Sequence, residues 1–115
     1  MSHRSVMRVW RAEATREGSH LYLAHFREHV LPELRPIAGF AGARVLVSDG
    51  AEPVQIVVET QWASMDAIAA FADKEDLTRA VIAPAARAVL LRLDEIVSHL
   101  EIAMEFTPST TPAAP

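Results

Sequence analysis

Two histidines and one arginine are the residues best suited to acid–base chemistry in this sequence. His25 and His29 are four positions apart, which places them one turn apart on one face of a helix. The pKa of an imidazole lies near neutrality, so either side chain can accept a proton. Arg87 carries a permanent charge that can stabilise a developing anion. The alternative roles are structural, with both histidines at the surface and Arg87 paired with an acid such as Asp94.

The two helical histidines also have a spacing that suits a shared metal ion, but no third ligand is evident. Glu28 falls on a different side of the same helix. We therefore expect no metal site. His99 is a further candidate base, and its alternative role is a hydrogen bond to Glu59 or Glu101 at a subunit interface.

Four aromatic residues are candidates for the wall of a substrate pocket. Tyr22 and Phe26 stack at i, i+4, where packing is the alternative role and the Tyr22 hydroxyl is free to reach a ligand. Phe71 belongs to the apolar stripe of a later helix. Trp62 is either a core anchor beside the pocket or a residue that stacks on substrate. Both faces of the strand that contains Trp10 carry a mixture of apolar and charged residues. Alternation along this strand therefore assigns Trp10 neither to the pocket nor to a subunit interface.

Hydrophobic periodicity predicts the elements that must position these side chains. Pro32 is expected to bend the first helix, and Pro36 makes its continuation unfavourable. The predicted elements, in order, are a strand 6–13, a helix 16–34, strands 40–48 and 54–62, a helix capped by Ser64 that carries Met65, Ile68, Phe71 and Ala72, a short helix 84–91, and a strand 94–106. This βαββαβ order predicts an α+β, ferredoxin-like split βαβ fold, an antiparallel four-stranded sheet with helices on one face.

The sheet face away from the helices is predicted to be partly apolar. Period-two alternation places Val57, Val97 and Ala103 on it, with polar residues between them. An apolar face of this kind is costly to leave in water, and packing against the same face of a second copy covers it. The sequence therefore predicts a homodimer that forms through the sheet faces.

The length of 115 residues fits one domain, which we place at residues 1–106. The remaining residues, 107–115, have the sequence TPSTTPAAP, which lacks bulky apolar side chains. Such a segment cannot bury enough surface to offset its loss of conformational entropy, so a disordered tail is expected.

Composition excludes several classes of function. A net charge of -4 gives no basic footprint for nucleic acid. The absence of cysteine excludes disulfides, a thiol nucleophile and cysteine-ligated metals. No apolar run approaches the roughly 18 residues of a membrane span, and the start lacks a signal core, so we expect a cytoplasmic protein without membrane partners. No glycine-rich strand-to-helix turn is present for flavin or nicotinamide.

One motif resembles a known family. Thr60, Trp62, Ser64, Ala67 and Phe71 form the pattern T-x-W-x-S-x-x-A-x-x-x-F, which leads from the third strand into the second main helix. The sequence resembles the antibiotic biosynthesis monooxygenase family, and the resemblance extends over nearly all of residues 5–105. It implies a ferredoxin-like protomer that dimerises as a dimeric α/β barrel. The family includes cofactor-independent oxygenases of aromatic polyketides, haem-degrading enzymes and quinol oxygenases.

The resemblance also bears on cofactors. In the haem-degrading branch, a tryptophan in the second helix distorts the porphyrin and a histidine ten residues later ligates the iron. Without gaps, these positions correspond to Phe71 and Val81. Valine has no lone pair for a metal, so we expect no haem and no other cofactor.

Two functions remain as expectations. The first is a cofactor-independent monooxygenase of a small phenol, quinol or polyketide-like aromatic, with His25 or His29 as base and Arg87 as anion stabiliser. The second is a non-enzymatic or stress-related dimer that binds a small ligand. A pocket between helices and sheet, with a polar group directed at a ligand, would favour the enzyme.

Overall fold

The computed structural model describes residues 5–108, and it confirms the predicted α+β, ferredoxin-like fold. One antiparallel sheet has the strand order β2–β3–β1, and two short strands, β4 and β5, pair with the free edge of β1. The elements are β1 (Val6–Ala14), α1 (Arg16–His25), a π-helical segment (Phe26–Val30), α2 (Leu31–Leu34), β2 (Phe40–Val47), β3 (Val54–Trp62), α3 (Met65–Ile68), α4 (Pro84–Arg87), β4 (Arg92–Leu93) and β5 (Ser98–Glu101).

The two central strands separate a buried face from an outer face. Even-numbered residues of β1 and β3 lie under the helices and are buried, as in the register pair Trp10 and Val58. Odd-numbered residues lie on the outer face and are less buried. Trp10, which the sequence left unassigned, therefore lies on the helix side, and Arg8 lies there with it.

The first helical region covers the predicted span but changes its winding in the middle. Thr15 caps its start by accepting a hydrogen bond from the Gly18 N–H at 3.0 Å. Farther on, the N–H of Leu31 bonds to the carbonyl of Phe26, five positions back. Pro32 follows at once and has no N–H to donate, so a regular α-helical ladder cannot continue through this turn.

The second main helix is shorter than predicted. Ser64 caps it through the Ala67 N–H at 3.3 Å, but regular helix ends at Ile68. Beyond it, Asp73 accepts from the backbone N–H of Glu75 at 2.9 Å, and Asp76 accepts in the same way from the N–H of Thr78 at 3.0 Å. These local turns satisfy backbone donors in place of a helical ladder, so residues 69–83 form an irregular cover.

The predicted long strand 94–106 is also wrong in its extent. The chain instead forms β4, leaves the edge of β1 and returns as β5. In between, the segment bonds to the irregular cover: the Ala80 N–H donates to the Glu95 carbonyl at 2.8 Å, and the Val97 N–H donates to the Thr78 carbonyl at 2.7 Å. Pairing with the cover interrupts the strand.

Because the chain leaves the edge of β1 between β4 and β5, different residues face outward than predicted. Val97 is buried on the helix side, His99 lies opposite Arg8 on that side, and Ala103 lies beyond the end of β5, so the predicted outer face was wrong at these positions. The outer face is nonetheless partly apolar. Its apolar residues are Met7, Val9, Leu46, Val57 and Leu100.

Two sequence expectations concern the ends of the chain and the membrane. Residues 109–115 of the predicted tail lie outside the described residues, as do residues 1–4. Within residues 5–108, no helix is long and apolar enough to cross a bilayer.

Gly39 offers a test of the packing between the β2 start and α3. It has a φ of +91°, and a Cβ there would lie 2.6 Å from the Cβ of Ala67. We expect Gly39→Ala to lower the free energy of unfolding by about 2–4 kcal/mol, because backbone strain adds to overpacking. Urea unfolding measures the change.

Gly50→Ala is the matched control. Its φ is +104°, but nothing lies within 4 Å of the added Cβ, so only the strain remains. Equal losses in the two variants would contradict the predicted clash with Ala67.

Candidate functional site

A cavity lies between the first helical region and the sheet, covered by the irregular segment 69–83. The cavity has a volume of about 50 Å³, which is room for about four water molecules. The walls that determine its chemistry are aromatic or polar: Trp10, Tyr22, Phe26, Phe71, Arg8 and Thr60. The cavity therefore suits a small, flat apolar ligand with a polar group.

The guanidinium of Arg8 is buried in the wall of this cavity, with only 5% of the residue exposed. Its Nη1 donates to the Leu77 carbonyl at 2.5 Å and lies 2.9 Å from Nε2 of His99. Its Nη2 donates to the Arg79 carbonyl at 2.9 Å. Arg8 thus fixes the irregular cover to the middle of the sheet.

Among residues 5–108, no acidic partner neutralises this charge. Within the described part of the chain, no Asp or Glu carboxylate lies within 4.0 Å of the Arg8 guanidinium. Burial lowers the pKa of Arg8 to about 10. That value is still well above neutrality, so the cavity contains a positive charge.

Tyr22 supplies a neutral hydroxyl to the same cavity. Burial raises the pKa of Tyr22, so the phenol stays protonated and can donate a hydrogen bond. Its ring lies 5.5 Å from that of Trp10. Thr60 adds a second hydroxyl, whose oxygen accepts a hydrogen bond from Nε1 of Trp62 at 2.9 Å.

His99 is held in its neutral form beside Arg8. Burial, and then the positive charge of Arg8, lower the pKa of His99 below the ordinary histidine value. Because a guanidinium can only donate, Nε2 of His99 accepts and the ring proton is on Nδ1. The predicted contact with Glu59 or Glu101 at a subunit interface is therefore replaced by one inside the protomer.

The two helical histidines lie at the outer end of the cavity. A second depression, lined by His25, His29 and Glu33, shares three wall residues with the main cavity. His25 is half-buried and His29 is exposed, with ring centroids 5.4 Å apart. Burial, and then repulsion from His29, lower the pKa of His25, while Glu33 acts in the opposite direction. A neutral His25 is available as a base at the mouth.

The remaining predicted site residues divide between the cavity and other places. Tyr22, Phe26 and Phe71 line the cavity. Trp62 is fully buried behind it and stacks on Phe71, with ring centroids 6.2 Å apart. Arg87 lies elsewhere on the surface, where both of its terminal nitrogens bond to Glu95 at 2.8 and 2.9 Å.

The residues of the cavity do not match the requirements of a haem site. Phe71 and Val81, the positions that correspond to the tryptophan and the iron ligand of haem-degrading relatives, both line the cavity. Neither side chain offers a lone pair to iron. Among residues 5–108, no three or more His, Asp or Glu side chains cluster in a way that would hold a metal ion.

Sequence reasoning missed Arg8, although the sequence contains a signal for it. Arg8 alternates with Val6 and Trp10, so all three must lie on one face of β1. Once β1 is the centre of the sheet and that face packs under the helices, Arg8 is necessarily buried. Sequence periodicity shows which residues share a face of β1, but it does not show which face packs under the helices. That information came from the strand order of the structure.

Comparisons with known proteins agree with this architecture. A family model described as antibiotic biosynthesis monooxygenase matches residues 5–83. The chain belongs to this family. The match includes β1, the first helical region, β2, β3 and the whole irregular cover, and so it contains most of the cavity wall.

A solved structure supports the fold of this family member. It is a Bacillus cereus protein whose own assignment as an antibiotic biosynthesis monooxygenase is provisional. The TM-score is 0.66 at 14% sequence identity, with 92% of this chain and 98% of the other covered. At that identity the likeness shows a shared fold, and it carries no information about the substrate. Comparison with curated protein sequences gives no match.

The contact between Arg8 and His99 predicts a pH-dependent contribution to stability. Because the pKa of His99 is lowered by folding, the unfolded chain binds the proton more readily. The free energy of unfolding should fall as the pH falls below the ordinary value of 6.5, until the folded-state pKa is reached. In His99→Gln, the amide oxygen can still accept from Arg8, and this part of the pH dependence should disappear.

Urea unfolding at about pH 7.5 and about pH 5.5 measures the effect. Folding also lowers the pKa of His25, so the contribution of His25 to the pH dependence of stability remains in His99→Gln. His20→Gln, at an exposed position, controls for the loss of an imidazole. The same change in stability with pH in His99→Gln and wild type would contradict a role for this contact.

Proposed function

We propose that this protein is a cofactor-independent monooxygenase of a small phenol, quinol or polyketide-like aromatic. The observation that carries the proposal is the cavity under the first helical region, where apolar walls surround the Arg8 guanidinium and the Tyr22 hydroxyl. Such a cavity can bind an aromatic ring, exclude bulk water and stabilise a negative oxygen. Membership in the antibiotic biosynthesis monooxygenase family supports this class of reaction.

The proposed chemistry needs a base and a stabilised anion. His25, at the mouth, accepts a proton from the bound substrate, while Arg8 and Tyr22 donate hydrogen bonds to its oxygen. The electron-rich anion then reduces O2. One oxygen atom becomes bonded to a ring carbon and the other leaves as water, so a ring C–H of a quinol plus O2 gives a hydroxyquinone plus H2O. The substrate supplies all the electrons.

Arg8 takes the role that the sequence suggested for Arg87. Arg87 is exposed to solvent in a pair with Glu95, and it does not line the cavity. Arg8 lies in the wall, buried and without an acidic partner among the described residues, so its charge acts on a ligand with little screening.

The second candidate function is a binding protein that lacks the reaction. It is supported by the position of the histidines, because His25 and His29 lie at the mouth and outside the main cavity wall. A ligand held deep in the cavity would then contact only hydrogen-bond donors and apolar walls. Oxygen consumption distinguishes the two candidates.

Oxygen uptake with a panel of phenols and quinols tests the enzyme. We expect His25→Ala to lower the rate by about 100-fold or more, because the base is lost. Arg8→Gln should lower it by about 100- to 1000-fold, because the oxyanion loses a charged donor. Arg35→Gln, which removes an exposed arginine outside the cavity, is the matched control.

Other outcomes of the same assay would redirect the proposal. A loss in His29→Ala without a loss in His25→Ala would move the base one turn along the helix. A loss in Arg87→Ala without a loss in Arg8→Gln would restore the role predicted from sequence. An absence of oxygen uptake with every phenol and quinol, despite ligand binding, would favour the binding protein.

We also propose that two copies pair through their outer sheet faces. Val57 lies at the centre of this face, with Leu46 and Arg11 as its cross-strand neighbours. Leu46 and Leu100 are about half exposed, at 46% and 56%. The covering of these side chains by a second sheet would remove apolar surface from water.

Sedimentation at micromolar concentration tests the dimer. Wild type should sediment as a dimer, and Val57→Glu should shift it toward monomer because the carboxylate would lose its hydration at the interface. Leu21→Glu, on a half-exposed position of α1, is the control and should stay dimeric. A monomeric wild type, or a dimeric Val57→Glu, would refute the proposed interface.

A further inference from the structure

We propose that the cavity binds ligands with a negatively charged oxygen in preference to neutral ones, and that Arg8 and Tyr22 bind this oxygen directly. The substrate class would be a small aromatic acid, with a carboxylate or an ionised phenol at one end of a flat apolar body. The inference deepens the proposed function and rests on it only in using the same cavity as the binding site.

The hydrogen bonds of Arg8 leave part of its donor capacity unused. A guanidinium has five N–H groups, and the structure shows three partners for them: two carbonyls and one imidazole nitrogen. All three partners lie in the cover or in β5. The remaining donors belong to a side chain that lines the cavity, where an anionic oxygen can accept from them.

The hydroxyl of Tyr22 has the same property. Tyr22 is 5% exposed and lines the cavity, yet within residues 5–108 its oxygen has no hydrogen-bond partner. Because no side-chain oxygen or nitrogen of the described residues is both fully buried and unpaired, this hydroxyl is open to the cavity and can donate to a water or a ligand there. Tyr22 and Arg8 are thus two donors on the wall of one cavity, and Thr60 offers a third hydroxyl there.

The electrostatic environment favours an anion over a neutral ligand. All three bonds of Arg8 go to neutral acceptors, since His99 is kept neutral by burial and by Arg8 itself. Arg79, a cation of the cover, directs its side chain to Asp73 at 3.8 Å. A buried charge without a counter-charge is strongly destabilising, and a bound anion would supply the missing partner.

The shape of the cavity determines the rest of the ligand. The other walls are rings and aliphatic side chains, including those of Trp10, Phe26 and Phe71. Such walls pack against the faces of an aromatic ring. The small volume favours one ring with its charged oxygen directed toward β1.

Binding of matched ligand pairs tests the inference without any oxidation. Benzoate and benzamide have nearly the same shape and differ in charge, so calorimetric or NMR titration of the wild type compares the two directly. We expect benzoate to bind at least about tenfold more tightly, as a charge-assisted bond exceeds a neutral one by at least that factor. 4-Nitrophenolate against 4-nitroanisole distinguishes a preference for phenolates from one for carboxylates.

Arg8→Met then tests the residue. The variant keeps an apolar side chain of similar length, and it should remove the preference for benzoate, whereas Arg35→Gln should retain it. Should Arg8→Met fail to fold, Tyr22→Phe and the wild-type ligand pairs remain informative. Tyr22→Phe is expected to weaken benzoate about tenfold and to leave benzamide less affected.

The outcomes separate this inference from the proposed function. Equal affinity for both members of both pairs would overturn the anion selectivity, even if quinols are oxidised. Tighter binding of benzoate that shifts NMR signals only outside the cavity would also overturn it. Selective binding of the anions at Tyr22 and Trp10, without oxygen uptake from any phenol or quinol, would support the inference and refute the oxygenase.

Discussion

The structure depends on a buried guanidinium that joins three parts of the chain. Arg8 projects from the central strand β1 and donates to the carbonyls of Leu77 and Arg79 and to the imidazole of His99. Those two carbonyls belong to a segment without regular secondary structure. Because a guanidinium donates in a fixed planar fork, its bonds determine where this segment lies over the sheet. The cavity exists because the segment is held there.

The same interaction explains why β4 and β5 are separate strands. After Asp94, whose N–H still bonds to the Arg11 carbonyl of β1, residues 95–97 bond to the cover at Thr78 and Ala80 instead. Trp10 holds the start of this segment, since its Nε1 donates to the Asp94 carbonyl at 2.7 Å. The edge of the sheet, the cover and the cavity wall are therefore one connected structure, and a change in any of them should be felt at the site.

The sequence was sufficient for the fold but only partly for the site. Periodicity and caps located β1, β2, β3 and the first helical region, because each carries a strong local pattern. Helical spacing proposed Tyr22, Phe26 and Phe71 as wall candidates, and all three line the cavity. Residues 94–106 look like one strand locally, and nothing local reports that tertiary hydrogen bonds to the cover interrupt it. The same interruption moved Val97 and His99 to the helix side, and the burial of Arg8 follows from strand order.

The wall of the cavity has two mechanical parts with different tolerance for change. One part is the sheet and first helical region, where Trp10 and Tyr22 are fixed by ring packing and by strand register. The other is the irregular cover, which contributes Phe71, Ala80 and Val81 without a ladder of its own. Loops accept substitutions and insertions more readily than sheets. Proteins of this fold can thus change their ligand preference through substitutions in the cover, while Arg8 on the sheet beneath it is retained.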